Sequence, residues 1–215
     1  MHSGKLHIKV CGLARLDELH RLEAMGVDFA GMIFYPKSPR CILPHQQAAH
    51  TRSYQGNIQK VGVFVNASYD EILQVVNAYG LQMVQLHGEE SPAFCHELRK
   101  QGLKIIKVFP VSGEGFPDTR PYEASCDYFL FDTASQQKGG TGKRFDWQLL
   151  HAYQGSVPFF LSGGIGPEHA HEILSLQHPQ LYAVDINSRF ETAPGIKDFE
   201  RIKQFICQLN IVSEV

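Results

Sequence analysis

Pro158-Phe159-Phe160-Leu161-Ser162-Gly163-Gly164 is a short apolar run that stops abruptly in a serine and two glycines. Pro167 and Glu168 then open a helical pattern carrying Ala170, Ile173 and Leu174. Next comes a second apolar run, Tyr182-Ala183-Val184, which ends in Asp185-Ile186-Asn187-Ser188. Hydrophobic residues at consecutive positions suit strands buried on both faces, and such strands belong to parallel sheets covered by helices. A strand, a helix and a second such strand make one βαβ unit.

The same unit recurs towards the N-terminus. His7-Ile8-Lys9-Val10 runs into Cys11-Gly12, Phe29-Ala30-Gly31-Met32-Ile33-Phe34 into Tyr35-Pro36-Lys37, and Val61-Gly62-Val63-Phe64-Val65 into Asn66. Met83-Val84-Gln85-Leu86 meets His87-Gly88, Ile105-Ile106-Lys107-Val108-Phe109 meets Pro110, and Tyr128-Phe129-Leu130-Phe131 meets Asp132-Thr133. Helical patterns lie between them. Arg15 to Met25 is closed by Gly26, and Tyr69 to Tyr79 by Gly80. Ser91-Pro92 opens a third, because serine caps and proline suits the first turn. Another begins at Asp198. The stretch from Val111 to Ser125 is too rich in glycine and proline to show a helical period.

Eight strands alternating with helices predict an α/β fold: a compact, parallel, eight-stranded (β/α)₈ barrel formed by residues 1–215 as one domain. No linker or charge block divides the chain. An open doubly wound sheet is the alternative, although it usually has fewer strands. The chain's 215 residues are few for a barrel, where about 250 is typical. A net charge of −2 offers nothing to nucleic acid, and no apolar run approaches the roughly 20 residues that span a bilayer. The five cysteines are odd in number and scattered, without metal-binding spacing. With no signal-peptide core at the N-terminus, a cytoplasmic setting is expected.

In a parallel barrel the strand ends converge on one face, where the chemistry sits. Cys11 ends the first strand. A free cysteine is ordinarily a small buried hydrophobe, but at this place it would face the site. Its thiol titrates close enough to neutrality for base or nucleophile work. Asp132 and Asp185 end the sixth and eighth strands; each either caps its own turn or is a carboxyl held partly protonated by apolar surroundings. Ser162-Gly163-Gly164 and Asn187-Ser188-Arg189 follow strands seven and eight, whose loops often bind phosphate in barrels. Arg40, flanked by Pro36 and Pro39, could aim its guanidinium fork at a carboxylate. His87 is a candidate ligand contact. His169 and His171 read as surface residues rather than metal ligands. Lys138-Gly139-Gly140-Thr141-Gly142-Lys143 fails the P-loop pattern, with Gln137 and Arg144 at its decisive positions. It reads as a mobile glycine-rich loop before a helix starting at Phe145-Asp146-Trp147.

Taken in order, these segments resemble the phosphoribosylanthranilate isomerase family, from Lys9-Val10-Cys11-Gly12 to Val184-Asp185-Ile186-Asn187-Ser188. Gly31 to Arg40, Gln85-Leu86-His87-Gly88-Glu89 and Gly139 to Trp147 belong to the same ordered set. The resemblance implies an Amadori rearrangement of a small phosphorylated substrate without cofactor or metal, in a monomer or homodimer. By resemblance Cys11 is the general base, Asp132 the general acid and Arg40 the partner of the anthranilate carboxylate. Gly163, Gly164, Ser188 and Arg189 fall at the phosphate site, with Asp185 and His87 beside the substrate. The proposed chemistry asks for a raised Asp132 pKa and for enough Cys11 thiolate at neutral pH. One position departs from the family pattern: Arg189 stands where glycine is expected. Either that turn differs here or Arg189 adds charge for the phosphate, and the second is preferred. Two rivals remain, another phosphosugar isomerase on the same barrel and a catalytically silent barrel that only binds a phosphorylated metabolite. The first would be expected to place a carboxylate at the end of strand one.

Overall fold

The computed structural model describes residues 5–15, 18–42, 48–113, 115–134 and 145–211. Eight strands run in chain order, each parallel to its neighbours: β1 (His7–Val10), β2 (Phe29–Ile33), β3 (Gln59–Phe64), β4 (Met83–Leu86), β5 (Lys104–Val111), β6 (Tyr128–Thr133), β7 (Phe159–Leu161) and β8 (Leu181–Ile186). β8 pairs back onto β1, with Lys9 opposite Asp185 and Val10 opposite Ile186, so the sheet closes into a (β/α)₈ barrel.

Side chains alternate across each strand, and the closed sheet gives that alternation two apolar destinations. Phe29, Val61, Met83, Ile106, Val108, Leu130, Phe160 and Ala183 pack together inside the barrel. Residues of the other parity, such as Ile8, Val10, Val84, Phe129 and Val184, join a larger cluster between strands and helices. That double burial is why the strands read as continuous apolar runs.

Helices α1 (Leu19–Ala24), α2 (Ala48–Ser53), α3 (Tyr69–Tyr79) and α4 (Pro92–Lys100) follow the first four strands, and α5 (Ala170–Ser175) and α6 (Phe199–Ile211) follow β7 and β8. Ser68 and Glu71 form a reciprocal capping box at the start of α3, and Gly80 closes it at φ +62°. Ser91 Oγ accepts the Phe94 N–H at 3.2 Å, with Pro92 in the first turn of α4.

The helical layer departs from expectation on one side. The Val111–Ser125 stretch holds a three-residue 3₁₀ turn, Arg120–Tyr122, and the helix expected from Phe145 is a 3₁₀ segment, Trp147–Ala152, capped by Asp146. A short antiparallel hairpin with no sequence signal, β9 (Glu191–Ala193) and β10 (Ile196–Lys197), lies between β8 and α6. The glycine-rich loop at 138–143 lies outside the described residues, as does Leu16 in the first helical pattern.

Candidate active site

Cys11, Tyr35, Ser38, Arg40, Gln85, His87, Asp132, Ser162, Gly163, Gly164, Asp185, Asn187 and Ser188 line one cleft at the C-terminal end of the barrel. Its enclosed part measures about 100 Å³, less than the roughly 300–1,000 Å³ usual for small-molecule sites, and its mouth opens to solvent. Eight of the nine site residues expected from sequence lie on this lining. The exception is Arg189.

At the bottom of the cleft, β1 contributes two inward residues in succession, Lys9 and Cys11. Lys9 is fully buried and its Nζ lies 2.9 Å from Asp185 Oδ1. The ammonium also faces the Cys11 thiol: a Cβ built on Gly31 would sit 2.8 Å from Cys11 Sγ and 3.1 Å from Lys9 Nζ. Gly31 therefore makes room for both groups. Asp185 and Cys11 hold the Lys9 ammonium above its ordinary pKa, even against burial. Burial pushes the Cys11 thiol up, and Lys9 opposes that rise without cancelling it. This runs against the expected store of thiolate at neutral pH, since burial favours the thiol. A sulfur anion without water contact lacks solvation that one ammonium only partly replaces.

Asp132 reaches the cleft from the end of β6. Burial, with the nearby charge of Asp185 adding to it, pushes its carboxyl up to about 6. Its Oδ1 accepts the Thr133 N–H at 2.8 Å, and its Oδ2 lies 3.6 Å from His87 Nε2. Gly163, at φ +89°, packs directly on this acid: a Cβ there would come within 2.8 Å of Asp132 Oδ1 and 2.3 Å of Thr133 Oγ1. Gly164 follows at φ +66°. Two consecutive left-handed glycines form the turn after β7, and the first has a packing reason beyond any anion.

Arg40 is not the open fork the sequence suggested. Its Nε and Nη2 both donate to the Glu191 carboxylate, at 2.9–3.0 Å and 2.8 Å. Lys197 Nζ donates to Glu191 at 2.7 Å and to Asn187 Oδ1 at 2.9 Å. Burial pushes Glu191 up, but hydrogen bonding to Arg40 and the charge of Lys197 win and hold it below the usual carboxylate range. The guanidinium is thus clamped along one edge by the β9–β10 hairpin, and Nη1 is the nitrogen remaining for the cleft.

Arg189 requires a correction. It lies in a 3₁₀ turn, Ser188–Phe190, and is not among the described residues with positive φ. Its guanidinium donates to Glu168 on the preceding loop at 2.5 Å, and both side chains are largely exposed. The turn differs from a glycine turn, and the charge is paired with Glu168 outside the cleft lining. His169 is also not a surface residue: its Nδ1 accepts the Gly166 N–H at 2.8 Å and its ring packs edge-on to Trp147.

Sequence reading missed Lys9, Gln85, Glu191 and Lys197. Lys9 did leave a signal: it stands two residues before Cys11 in an apolar run, hence on the same strand face. Its parity separates it from two other buried strand lysines. Lys60 caps the carbonyls of Thr51 and Tyr79, and Lys107 pairs with Glu90 at 3.1 Å. Both face the helical layer.

A parallel barrel with a carboxyl near neutrality, a thiol beside a buried ammonium and a glycine turn fit for an anion defines a class: a barrel enzyme that moves protons on a small anionic molecule. Among the described residues no cluster of metal-ligand type occurs and no helix is long and apolar enough to cross a membrane.

Comparison with known proteins narrows the class. Residues 8–208 match the family model for N-(5'-phosphoribosyl)anthranilate isomerase. The N-(5'-phosphoribosyl)anthranilate isomerase of Parabacteroides distasonis is 46% identical, covering 94% of this chain and 92% of the relative. That of Phocaeicola vulgatus is 42% identical, covering 94% and 97%. The crystal structure of the Thermus thermophilus phosphoribosylanthranilate isomerase superposes with a TM-score of 0.85 at 30% identity, covering 96% of this chain and all of that one. A phosphoribosylanthranilate isomerase solved with reduced 1-(o-carboxyphenylamino)-1-deoxyribulose 5-phosphate gives 0.79 at 32%, covering 96% and 99%. The chain belongs to the N-(5'-phosphoribosyl)anthranilate isomerase family and is an isomerase of tryptophan biosynthesis.

Proposed function

We propose that this cleft converts N-(5-phosphoribosyl)anthranilate to 1-(2-carboxyphenylamino)-1-deoxyribulose 5-phosphate with Asp132 as general acid and Cys11 as general base. Asp132 gives its proton to the ring oxygen as the bond from that oxygen to C1 breaks, and the nitrogen lone pair forms the iminium. The Cys11 thiolate, the minor form reached when the thiol gives its proton to water beside the Lys9 ammonium, takes the proton from C2, and the released pair forms the enolamine. The C2 hydroxyl then loses its proton while C1 gains one, which gives the ketone. Each proton transfer is worth on the order of 10²–10⁴-fold.

The observation that carries this reading is that a carboxyl and a thiol from opposite parts of the chain line one cleft, with the carboxyl at about 6. At pH 7 roughly one Asp132 in ten still holds its proton, against fewer than about one in a thousand for an ordinary aspartate. Lys9 lies where it would stabilise the Cys11 thiolate once the substrate's C2 proton is presented. Gly163, Gly164 and Ser188 bind the phosphate, and the Nη1 edge of Arg40 takes the anthranilate carboxylate. Asp185 acts through Lys9, and His87 stands beside Asp132 and the substrate.

We place the enzyme in the cytoplasm as a monomer or homodimer, without a nucleic-acid partner. The net charge of −2 offers nothing to nucleic acid, and solved monomers of a dimeric phosphoribosylanthranilate isomerase from Thermotoga maritima support either oligomeric state. The decisive test is loss of substrate fluorescence for wild type, Cys11→Ala and Asp132→Ala. Each variant should lose at least about 100-fold in turnover while still binding the reduced product analogue. Full turnover in either one removes that residue from its role.

A further inference from the structure

Gln85 stands on β4 two residues before His87, so both side chains point inward, and both line the cleft. It is 2% exposed. Its Oε1 is buried and has no hydrogen-bond partner among the described residues. In register on either side are Val63 of β3 and Ile106 of β5, whose side chains are hydrocarbon. A buried carbonyl oxygen left unpaired costs about 1–3 kcal/mol, and folded proteins seldom retain one without a use.

The chemistry of an amide oxygen restricts what can satisfy it. It accepts and cannot donate, so a phosphate dianion or a carboxylate, which only accept, are excluded as partners. The groups at the two ends of the substrate are of that kind. Its hydroxyls and its amine N–H, which can donate, lie in the central portion where bonds change. We propose that Gln85 Oε1 accepts a hydrogen bond from a hydroxyl or N–H of this sugar-amine portion and so fixes the reacting carbons in the cleft. The proposal rests on the reading of the cleft as the isomerase site. It gives β4 a substrate-binding residue and assigns the empty-state penalty to function rather than to the fold.

Gln85→Met tests it, since methionine has nearly the same length and no strong acceptor. The ligand-free variant should melt at or above the wild-type temperature, because the unsatisfied group is gone. Its dissociation constant for reduced 1-(o-carboxyphenylamino)-1-deoxyribulose 5-phosphate should rise about tenfold. Binding of inorganic phosphate should stay unchanged. A folded variant that holds the analogue as tightly as wild type overturns the proposal, as does a lower melting temperature with normal affinity.

A second measurement avoids the variant altogether. In wild-type protein carrying ¹³C-labelled glutamine, the Gln85 side-chain carbonyl resonance should shift with the analogue and not with phosphate; no shift with the analogue overturns the proposal. If Cys11→Ala and Asp132→Ala abolish turnover while Gln85→Met keeps normal affinity, only this inference falls. If the first two variants keep full turnover, the reading of the cleft falls instead.

Discussion

Replacing the proposed acid should make the protein more stable, and the gain should depend on pH in a set direction. Asp132 is held at about 6 against an ordinary 3.8, so the folded protein binds this proton more tightly than the unfolded chain does. Its contribution is fully present below pH 3.8 and is lost as pH rises to about 6. At about 1.4 kcal/mol per pH unit, the whole loss is about 3 kcal/mol. The side chain is still 24% exposed in the cleft, so about 1–2 kcal/mol is the expected figure once solvent screening is counted. The amide introduced by Asp132→Asn would keep an oxygen to accept the Thr133 N–H and would remove the titration. Urea unfolding, followed by the single tryptophan, Trp147, which is 1% exposed, should be run from pH 4 to pH 8. The variant should gain on wild type as pH rises to about 6 and hold that gain above it, with turnover lost throughout. A stability difference that does not vary with pH, or a variant less stable than wild type at pH 7.5, would refute the burial argument for the acid.

Lys9→Met should lower stability by about 3–5 kcal/mol by stranding Asp185 without its cation. Adding Asp185→Asn should restore most of that loss in urea unfolding without restoring turnover, because the charge opposing burial at Cys11 is still missing. Glu191→Gln frees Arg40 and Lys197 from their shared carboxylate; steady-state kinetics should show KM rising on the order of tenfold, with kcat changed less. Arg189→Gly should shift KM by less than about threefold, since an exposed ion pair with Glu168 contributes little. A larger shift would return Arg189 to the phosphate site.

The strands and the positions of most cleft residues are legible in the sequence because both are local. A continuous apolar run and its polar stop are written within six or seven consecutive residues, and a parallel barrel gathers every such stop on one face. Where the local pattern is diluted, reading fails. Val111 to Ser125 yields a single 3₁₀ turn, and Asp146 caps a 3₁₀ segment rather than an α-helix. Gln85 escapes notice because a glutamine in an apolar strand looks like an imperfection until its neighbours in register are known. Arg189 is misplaced by sequence because substituting a bulky residue for glycine changes the turn, and with it the direction of the side chain.

By itself the sequence determined the eight barrel strands, the parallel α/β class, the family resemblance and most of the residues delivered to the strand ends. Tertiary structure decided what those residues are. Lys9 meets Asp185 across 176 positions, and Arg40 meets Glu191 across 151, only because β8 closes onto β1 and the hairpin after β8 folds against the loop after β2. Burial moves the Asp132 and Cys11 pKa values, and burial is a property of the closed barrel. Chain order can state which groups arrive at the cleft; their charge state depends on distances and solvent exclusion that exist only after closure.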